Sequence, residues 1–181
     1  MNTHEFPRFS RGKPKVCRLL TLFIILESFL ALFLSTYVNK VDRKGRVSLP
    51  APFRAALGAE AEQGIVLFRS STHLCLEGFS YGLVQDVSAR LDQFDLFSAD
   101  QDDLATTIFG EAVQVPIDGD GRIILPADLI SHVAIADQAA FVGMGRKFQI
   151  WNPSAYDIRK EEARKSVKAK GLSLPKVVSN D

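Results

Sequence analysis

Short apolar runs alternate with polar, glycine-containing turns along most of the chain, a pattern typical of β-strands joined by hairpins. Residues 41–50 and 117–126 share one arrangement: a branched apolar residue, a polar turn, and a short strand closed by proline. Gly45 and Gly121 occupy the place in each turn where a tight reversal requires positive φ. The closing proline predicts the end of each strand, because proline cannot donate to a β-ladder.

The two segments are copies of one motif. Aligned, they share Asp, Gly, Arg, Leu and Pro at the same offsets, and an internal repeat of this kind predicts two similar small units in one chain. Asp42 and Arg46 lie four residues apart, so the carboxylate could brace the guanidinium across the turn; Asp118 and Arg122 repeat that spacing. A structural turn clamped by an ion pair would explain one copy, whereas two copies indicate more than a turn.

The remaining pattern predicts a mixture of strands and helices. Ser80 is a candidate N-cap for an amphipathic helix, and Asn152-Pro153 is a candidate start for the last helix. On the helix after Ser80, Asp86 and Arg90 have the spacing of an i,i+4 pair. The other predicted segments are strands at 65–68, 73–76, 113–117, 123–125, 139–142 and 148–151, and helices at 52–58, 100–109, 127–133 and 154 to about 170.

The charge is segregated, although the formal net charge is only +1. Residues 40–54 carry +4, residues 85–118 carry −7 and residues 156–170 carry +3. These charged segments are more informative about binding partners than the net charge is. Cys17 and Cys75 form neither a disulfide framework nor a metal pair, which indicates two free thiols in a reducing compartment.

Enzyme motifs are absent from the sequence: there is no phosphate-binding loop, no Gly-x-Ser-x-Gly and no His-Glu-x-x-His. Residues 118–121 resemble the start of a calcium-binding EF-hand loop. That interpretation is excluded, because an EF-hand needs an acid or amide at the position of Arg122 and a glycine at the position of Ile123. We therefore predict no catalytic residue, metal site, cofactor or small-molecule substrate.

The first turn is the better candidate for function. Lys40, Arg43, Lys44 and Arg46 concentrate positive charge on a short hairpin that could lie in a DNA groove. Lysines there would neutralise phosphates, whereas an arginine held in one orientation could read guanine O6 and N7, worth roughly 1–3 kcal/mol of discrimination. In the second turn Gly119 and Asp120 replace Arg43 and Lys44 (these two replacements make it less basic).

The tandem Asp-x-x-Gly-Arg signature, with a strand and proline after it, resembles the MraZ family of bacterial transcriptional regulators, built from two SpoVT/AbrB-like units. The resemblance covers roughly residues 32–170. It implies a β-rich α+β fold in which two AbrB-like units form one pseudo-symmetric swapped-hairpin barrel with outer helices. It also places DNA contacts on the signature positions, so Arg46 and Arg122 are carried over as DNA-binding residues. Because the second turn is less basic, phosphate contacts are expected from the first unit, and a structural role is the alternative for Arg122.

The resemblance further implies a homo-oligomeric ring that binds double-stranded DNA at repeated promoter boxes. The expected target is the promoter of the division and cell-wall gene cluster, including the protein's own gene, and the expected location is the cytoplasm and nucleoid. The alternatives are a membrane-tethered interaction module and an AbrB-like antitoxin. The predicted organisation is an N-terminal extension at 1–31, unit 1 at 36–83, linking helices at 84–111, unit 2 at 112–155, and a C-terminal helix and tail at 156–181.

The N-terminal extension admits three interpretations. Five basic residues precede an apolar run at residues 19–34, which resembles a signal peptide or a short anchor. The run is shorter than the ~20 residues of a spanning helix, carries Glu27 near its middle, and has no small-x-small cleavage site after it. The preferred interpretation is that translation starts at Leu32, where the family's proteins begin with Met-Phe; membrane attachment is the main rival.

Overall fold

The chain folds into short strands interspersed with helices, described for residues 32–95 and 98–175 of a computed structural model. The strands are β1 (Thr36–Lys40), β2 (Arg46–Ser48), β3 (Ile65–Arg69), β4 (Leu76–Ser80), β5 (Val113–Val115), β6 (Arg122–Ile124), β7 (Gln138–Gly143) and β8 (Phe148–Trp151). The helices are α1 (Ala51–Leu57), α2 (Tyr81–Leu91), α3 (Ala99–Phe109), α4 (Ala127–His132) and α5 (Pro153–Lys170), with a 3-10 helix at Gly58–Gln63. The predictions for residues 1–31 lie outside the described residues and remain predictions.

The strands form two antiparallel sheets. Six of them make one sheet in the order β1-β7-β8-β4-β3-β5, and β2 pairs with β6 in a separate two-stranded ribbon. The first strand of each repeat pairs with a strand of the other repeat, since β1 pairs with β7 and β5 pairs with β3. The predicted mixed α+β class is confirmed.

The expected closed barrel is not found among the described strands. The large sheet ends at β1 on one side and at β5 on the other, and β2 approaches β1 through an isolated bridge between Val41 and Val47. The physical reason is the length of β2 and β6. Each has three residues, and two residues after its end stands Pro50 or Pro126, which cannot extend a ladder.

The core lies between the large sheet, the ribbon and the short helices α1 and α4. Phe33 packs edge-on against Phe53 and Phe148, with ring centroids 5.2 and 5.0 Å apart. From the ribbon, Val47 and Ile123 are directed into this core and are almost fully buried. Because successive strand residues point to opposite faces, the neighbours of these two residues are directed outwards.

Helix starts were predicted well. The Ser80 hydroxyl accepts a hydrogen bond from Leu83 N–H at the start of α2, and the Asn152 side chain accepts from Ser154 and Ala155 N–H at the start of α5. The predicted Asp86–Arg90 pair gives way to an ion pair between Asp86 and Arg146 at 2.8 Å.

The strand predicted at 73–76 is displaced, since β4 runs over Leu76–Ser80. Residues 71–75 form a bend, and the strand instead continues through Gly78, a residue type that is uncommon in strands. A Cβ on Gly78 would lie 2.2 Å from the Phe148 ring, so this glycine lets an aromatic side chain lie against the strand.

Candidate nucleic-acid interface

The first signature turn is held by one carboxylate. Asp42 Oδ1 accepts hydrogen bonds from the Lys44 and Arg46 N–H groups at 2.8 and 3.0 Å. Asp42 Oδ2 accepts from Arg46 Nε at 2.7 Å, which fixes the guanidinium over the turn. Hydrogen bonds from the Arg46 backbone and then from its side chain lower the pKa of Asp42 below its usual 3.8. The carboxylate that orients Arg46 is therefore ionised at neutral pH.

The second signature turn has the same backbone and a different side-chain pair. Asp118 Oδ1 accepts from the Asp120 and Arg122 N–H groups at 2.9 and 2.8 Å, as in the first copy. The Arg122 guanidinium, however, donates to Asp120 Oδ2 at 3.1 Å. This differs from the expected pairing of Asp118 with Arg122: Asp118 holds the backbone of the turn, and Asp120 holds the arginine.

The two turns are joined through their glycines. Gly45 and Gly121 have φ of 77° and 74°. Leu125 N–H donates to Gly45 O, and Leu49 N–H donates to Gly121 O, each at 2.9 Å. A Cβ on Gly45 would lie 2.6 Å from Leu125 O, so a side chain at this position would clash with the backbone of the other copy. Each turn thus helps to position the other.

The outward face of the β2–β6 ribbon presents both signature arginines. In the antiparallel register Arg46 lies opposite Ile124, and Ser48 lies opposite Arg122. These four outward residues are exposed, whereas the ribbon's other two residues are buried. A shallow pocket of about 270 Å³ is lined by Lys40, Asp42, Arg46, Ser48 and Arg122. Residues separated by about 76 positions in the sequence therefore form one surface, which we call the ribbon face.

The other predicted basic residues lie around the ribbon face. Lys40 ends β1 and lines the pocket, while Arg43 and Lys44 lie at the exposed tip of the first turn. The structure thus brings the predicted side chains of the first turn together with Arg122 from the second.

Sequence reasoning missed three residues of this region. Arg54 donates from Nη1 to Leu49 O and lies over Gly121, so it supports the second turn. Ser48 and Ile124 complete the ribbon face. The alternation of inward and outward residues in the two copies was the signal that could have identified Ser48 and Ile124. Nothing local indicated that the two strands pair with each other.

Two other features bear on function. Cys75 is a free, buried thiol, and burial raises its pKa to about 11, so it stays neutral and unreactive at physiological pH. Within residues 32–95 and 98–175, no helix is both long enough and apolar enough to cross a membrane, and no cluster of three or more His, Cys, Asp or Glu could bind a metal ion.

Comparison with known proteins identifies clear relatives. The chain matches the family described as "MraZ protein, putative antitoxin-like" over residues 32–106 and 108–171. It is similar to three proteins named "Transcriptional regulator MraZ". The Gluconobacter oxydans protein is 44% identical over 75% of this chain and 84% of the relative. The Gluconacetobacter diazotrophicus protein is 42% identical over 81% of this chain and 93% of the relative. A protein of the same name from Rickettsia akari is 43% identical over 74% of this chain and 89% of its own length.

Proposed function

The chain belongs to the MraZ family of transcriptional regulators, and from this premise we propose that it binds double-stranded DNA sequence-specifically through the ribbon face and the first turn. The observation that carries the proposal is the arrangement of Arg46 and Arg122 around one exposed pocket, on a two-stranded ribbon. The major groove admits a two-stranded β-ribbon, and arginine at a guanine edge is the commonest specific contact there.

The first turn supplies the greater part of the affinity in this proposal. Lys40, Arg43 and Lys44 neutralise phosphates and so position the ribbon without reading sequence. Arg46 reads a base because Asp42 holds its guanidinium in one orientation. In the second turn Asp120 repels phosphate, so Arg122 contributes mainly through the ribbon face rather than through attraction to the backbone.

The larger assembly is part of the proposal. The exchanged pairing of β1 with β7 and of β5 with β3 supports a swapped arrangement of two SpoVT/AbrB-like units at residues 36–83 and 112–155. Copies of the chain associate in a ring in the cytoplasm and on the nucleoid. The ring binds repeated boxes in the promoter of the division and cell-wall gene cluster, including the protein's own gene.

The proposal is tested by gel shift with the DNA upstream of the protein's own gene. The purified full chain is titrated against that duplex and against a shuffled duplex of the same composition, at several salt concentrations. We expect tighter binding to the upstream DNA and a linear fall of log K with log salt. Equal affinity for the two duplexes would refute sequence-specific binding, and insensitivity to salt would refute phosphate contacts.

An antitoxin is the second candidate, favoured by the words "antitoxin-like" in the description of the matching family. It requires a protein toxin that the chain neutralises. Affinity capture from the native host, with the tagged full chain as bait, distinguishes the two. Stoichiometric recovery of one small protein whose expression alone arrests growth would support the antitoxin.

A further inference from the structure

The ribbon face has one apolar member. Of its four outward residues, Arg46, Ser48 and Arg122 are polar and the fourth is Ile124, a residue that is 58% exposed. Its neighbour Ile123 is fully buried, so the core is already filled from this strand. The Ile124 side chain, in the register position opposite Arg46, is therefore free to contact a ligand of the ribbon face.

The spacing of the ribbon face matches that of DNA. Directly opposite residues of an antiparallel pair have Cβ atoms roughly 4.5–5.5 Å apart. Side chains on one face of a strand recur every second residue, about 6.8 Å apart, which is roughly two base-pair steps along the DNA axis. Side chains of Arg46 and Ile124 consequently reach the same base pair or two adjacent ones.

Apolar side chains read one feature of the major groove, the 5-methyl group of thymine. We infer that Ile124 is a specificity-determining residue that contacts the methyl group of a thymine beside the base pair read by Arg46; this inference rests on the DNA-binding function proposed above. Guanine recognition by the guanidinium and thymine recognition by the isoleucine then make one composite reading unit.

A contact between Ile124 and thymine would also make the two orientations of the DNA box inequivalent. Ser48 and Ile124 occupy equivalent positions in the two copies of the motif, as do Arg46 and Arg122. The ribbon is thus symmetric in its arginines and asymmetric in the residues beside them. A hydroxyl on one strand and an apolar side chain on the other distinguish the two orientations of a DNA box.

The inference is tested by deleting one methyl group at a time. A duplex is first selected on the full-length wild-type chain from a randomised pool. Each thymine is then replaced by deoxyuridine, which lacks the 5-methyl group. We expect one replacement to weaken wild-type binding about fourfold, as for one buried methyl group. Ile124→Ala should bind the unmodified duplex about fourfold more weakly and be indifferent to that replacement, which is the signature of direct coupling.

Met144→Ala is the matched control, since Met144 is a similarly exposed apolar residue (52%) outside the ribbon. It should retain both the wild-type affinity and the wild-type response to deoxyuridine. Thermal unfolding and light scattering establish that each variant is folded and has the wild-type mass.

The outcomes separate two failures. If the wild type prefers no selected duplex over random DNA, the proposed function fails and the inference with it. If the wild type is selective but every thymine tolerates deoxyuridine, or Ile124→Ala responds as the wild type does, the role of Ile124 is refuted and DNA binding stands. A changed oligomeric mass for Ile124→Ala alone would place Ile124 between copies of the chain, which also refutes the inference.

A gain of function provides a second test. Ser48→Ile places the same side chain on the other strand, and the Ser48 carbonyl can still accept its hydrogen bond from Asn39. Selection with this variant should enrich thymine at the position related by the pseudo-twofold axis of the ribbon. Unchanged selected sequences would contradict the inference.

Discussion

The identity of one residue decides how each signature arginine is held. Lys44 and Asp120 occupy the same place in the two copies, two residues before the arginine. A lysine cannot accept from a guanidinium, so Arg46 pairs with Asp42. An aspartate at that place is nearer along the chain, and Arg122 pairs with it. The two turns have the same backbone hydrogen bonds, but their arginines pair with aspartates at different positions, and the second turn is less basic than the first.

This difference predicts unequal effects of the two signature aspartates. Asp42→Ala removes the acceptor that orients Arg46, so we expect about a tenfold loss of affinity for the selected duplex, within the range of one bidentate base contact. Asp118→Ala is the matched control, because the Arg122 guanidinium keeps its partner Asp120. Fluorescence anisotropy with labelled duplex measures both. Equal losses would mean that the aspartates act only by shaping the turns.

Arginine and lysine in the first turn should also be separable. Arg46→Ala is expected to lower the ratio of specific to random affinity by about tenfold, since a base contact is lost. Lys44→Ala should weaken binding to both duplexes alike and reduce the salt slope by about 0.9, the value for one phosphate contact. Titrations at four salt concentrations give both quantities. Identical behaviour of the two variants would indicate purely non-specific attraction.

At the scale of elements, the ribbon is where a short piece of secondary structure depends on contacts far away in the sequence. β2 and β6 have three residues each, too few to be stable alone. They are stabilised by the burial of Val47 and Ile123 and by the reciprocal hydrogen bonds to Gly45 and Gly121. The ribbon face therefore exists only when both repeats are folded together.

Gly45 tests this dependence. Gly45→Ala must place a side chain at φ of 77° and within 2.6 Å of Leu125 O, and a non-glycine residue in the left-handed region alone costs about 1–2 kcal/mol. We expect a loss of at least about 2 kcal/mol in the free energy of unfolding, measured by urea denaturation. Gly119→Ala is the control, since a Cβ there meets no atom within 4 Å. Equal stability of the two variants would contradict the interlocked arrangement of the turns.

Local sequence signals predicted where helices and strands lie better than they predicted which strands pair with one another. Turn glycines, the capping residues Ser80 and Asn152, and the closing prolines are read from neighbouring residues, and the structure has helices starting after both caps. Pairing of β2 with β6 joins residues about 76 apart, and no local pattern specifies it. For the same reason the sequence identified Arg46 and Arg122 as separate candidates, while their position around one pocket required the tertiary structure.

At the scale of the whole molecule, we expect the segregated charge to orient the protein on the proposed DNA partner. Residues 40–54 carry +4 and residues 85–118 carry −7, and much of that acidic segment forms α2, which lies beside β3 and β4, and α3, which lies beside α2. A polyanion is attracted by the first segment and repelled by the second, so approach through the first turn is favoured over other orientations. The net charge of +1 does not reveal this segregation, because the basic and acidic residues nearly cancel in the sum.

A ring of such chains makes a prediction about repeated DNA boxes. In the proposed complex one ribbon face would contact few base pairs and bind with modest affinity. A second box would then be bound by a neighbouring ribbon of the same particle at a high effective concentration. We expect a duplex with two boxes at the natural spacing to bind at least about a hundredfold more tightly than a duplex with one. A spacer lengthened by about half a helical turn places the boxes on opposite sides of the DNA and should remove most of that gain.

Independent monomers would give about a twofold statistical gain at either spacing. Gel shifts with the three duplexes, together with native mass spectrometry of the particle, therefore distinguish a ring that binds several boxes from single chains that bind one each.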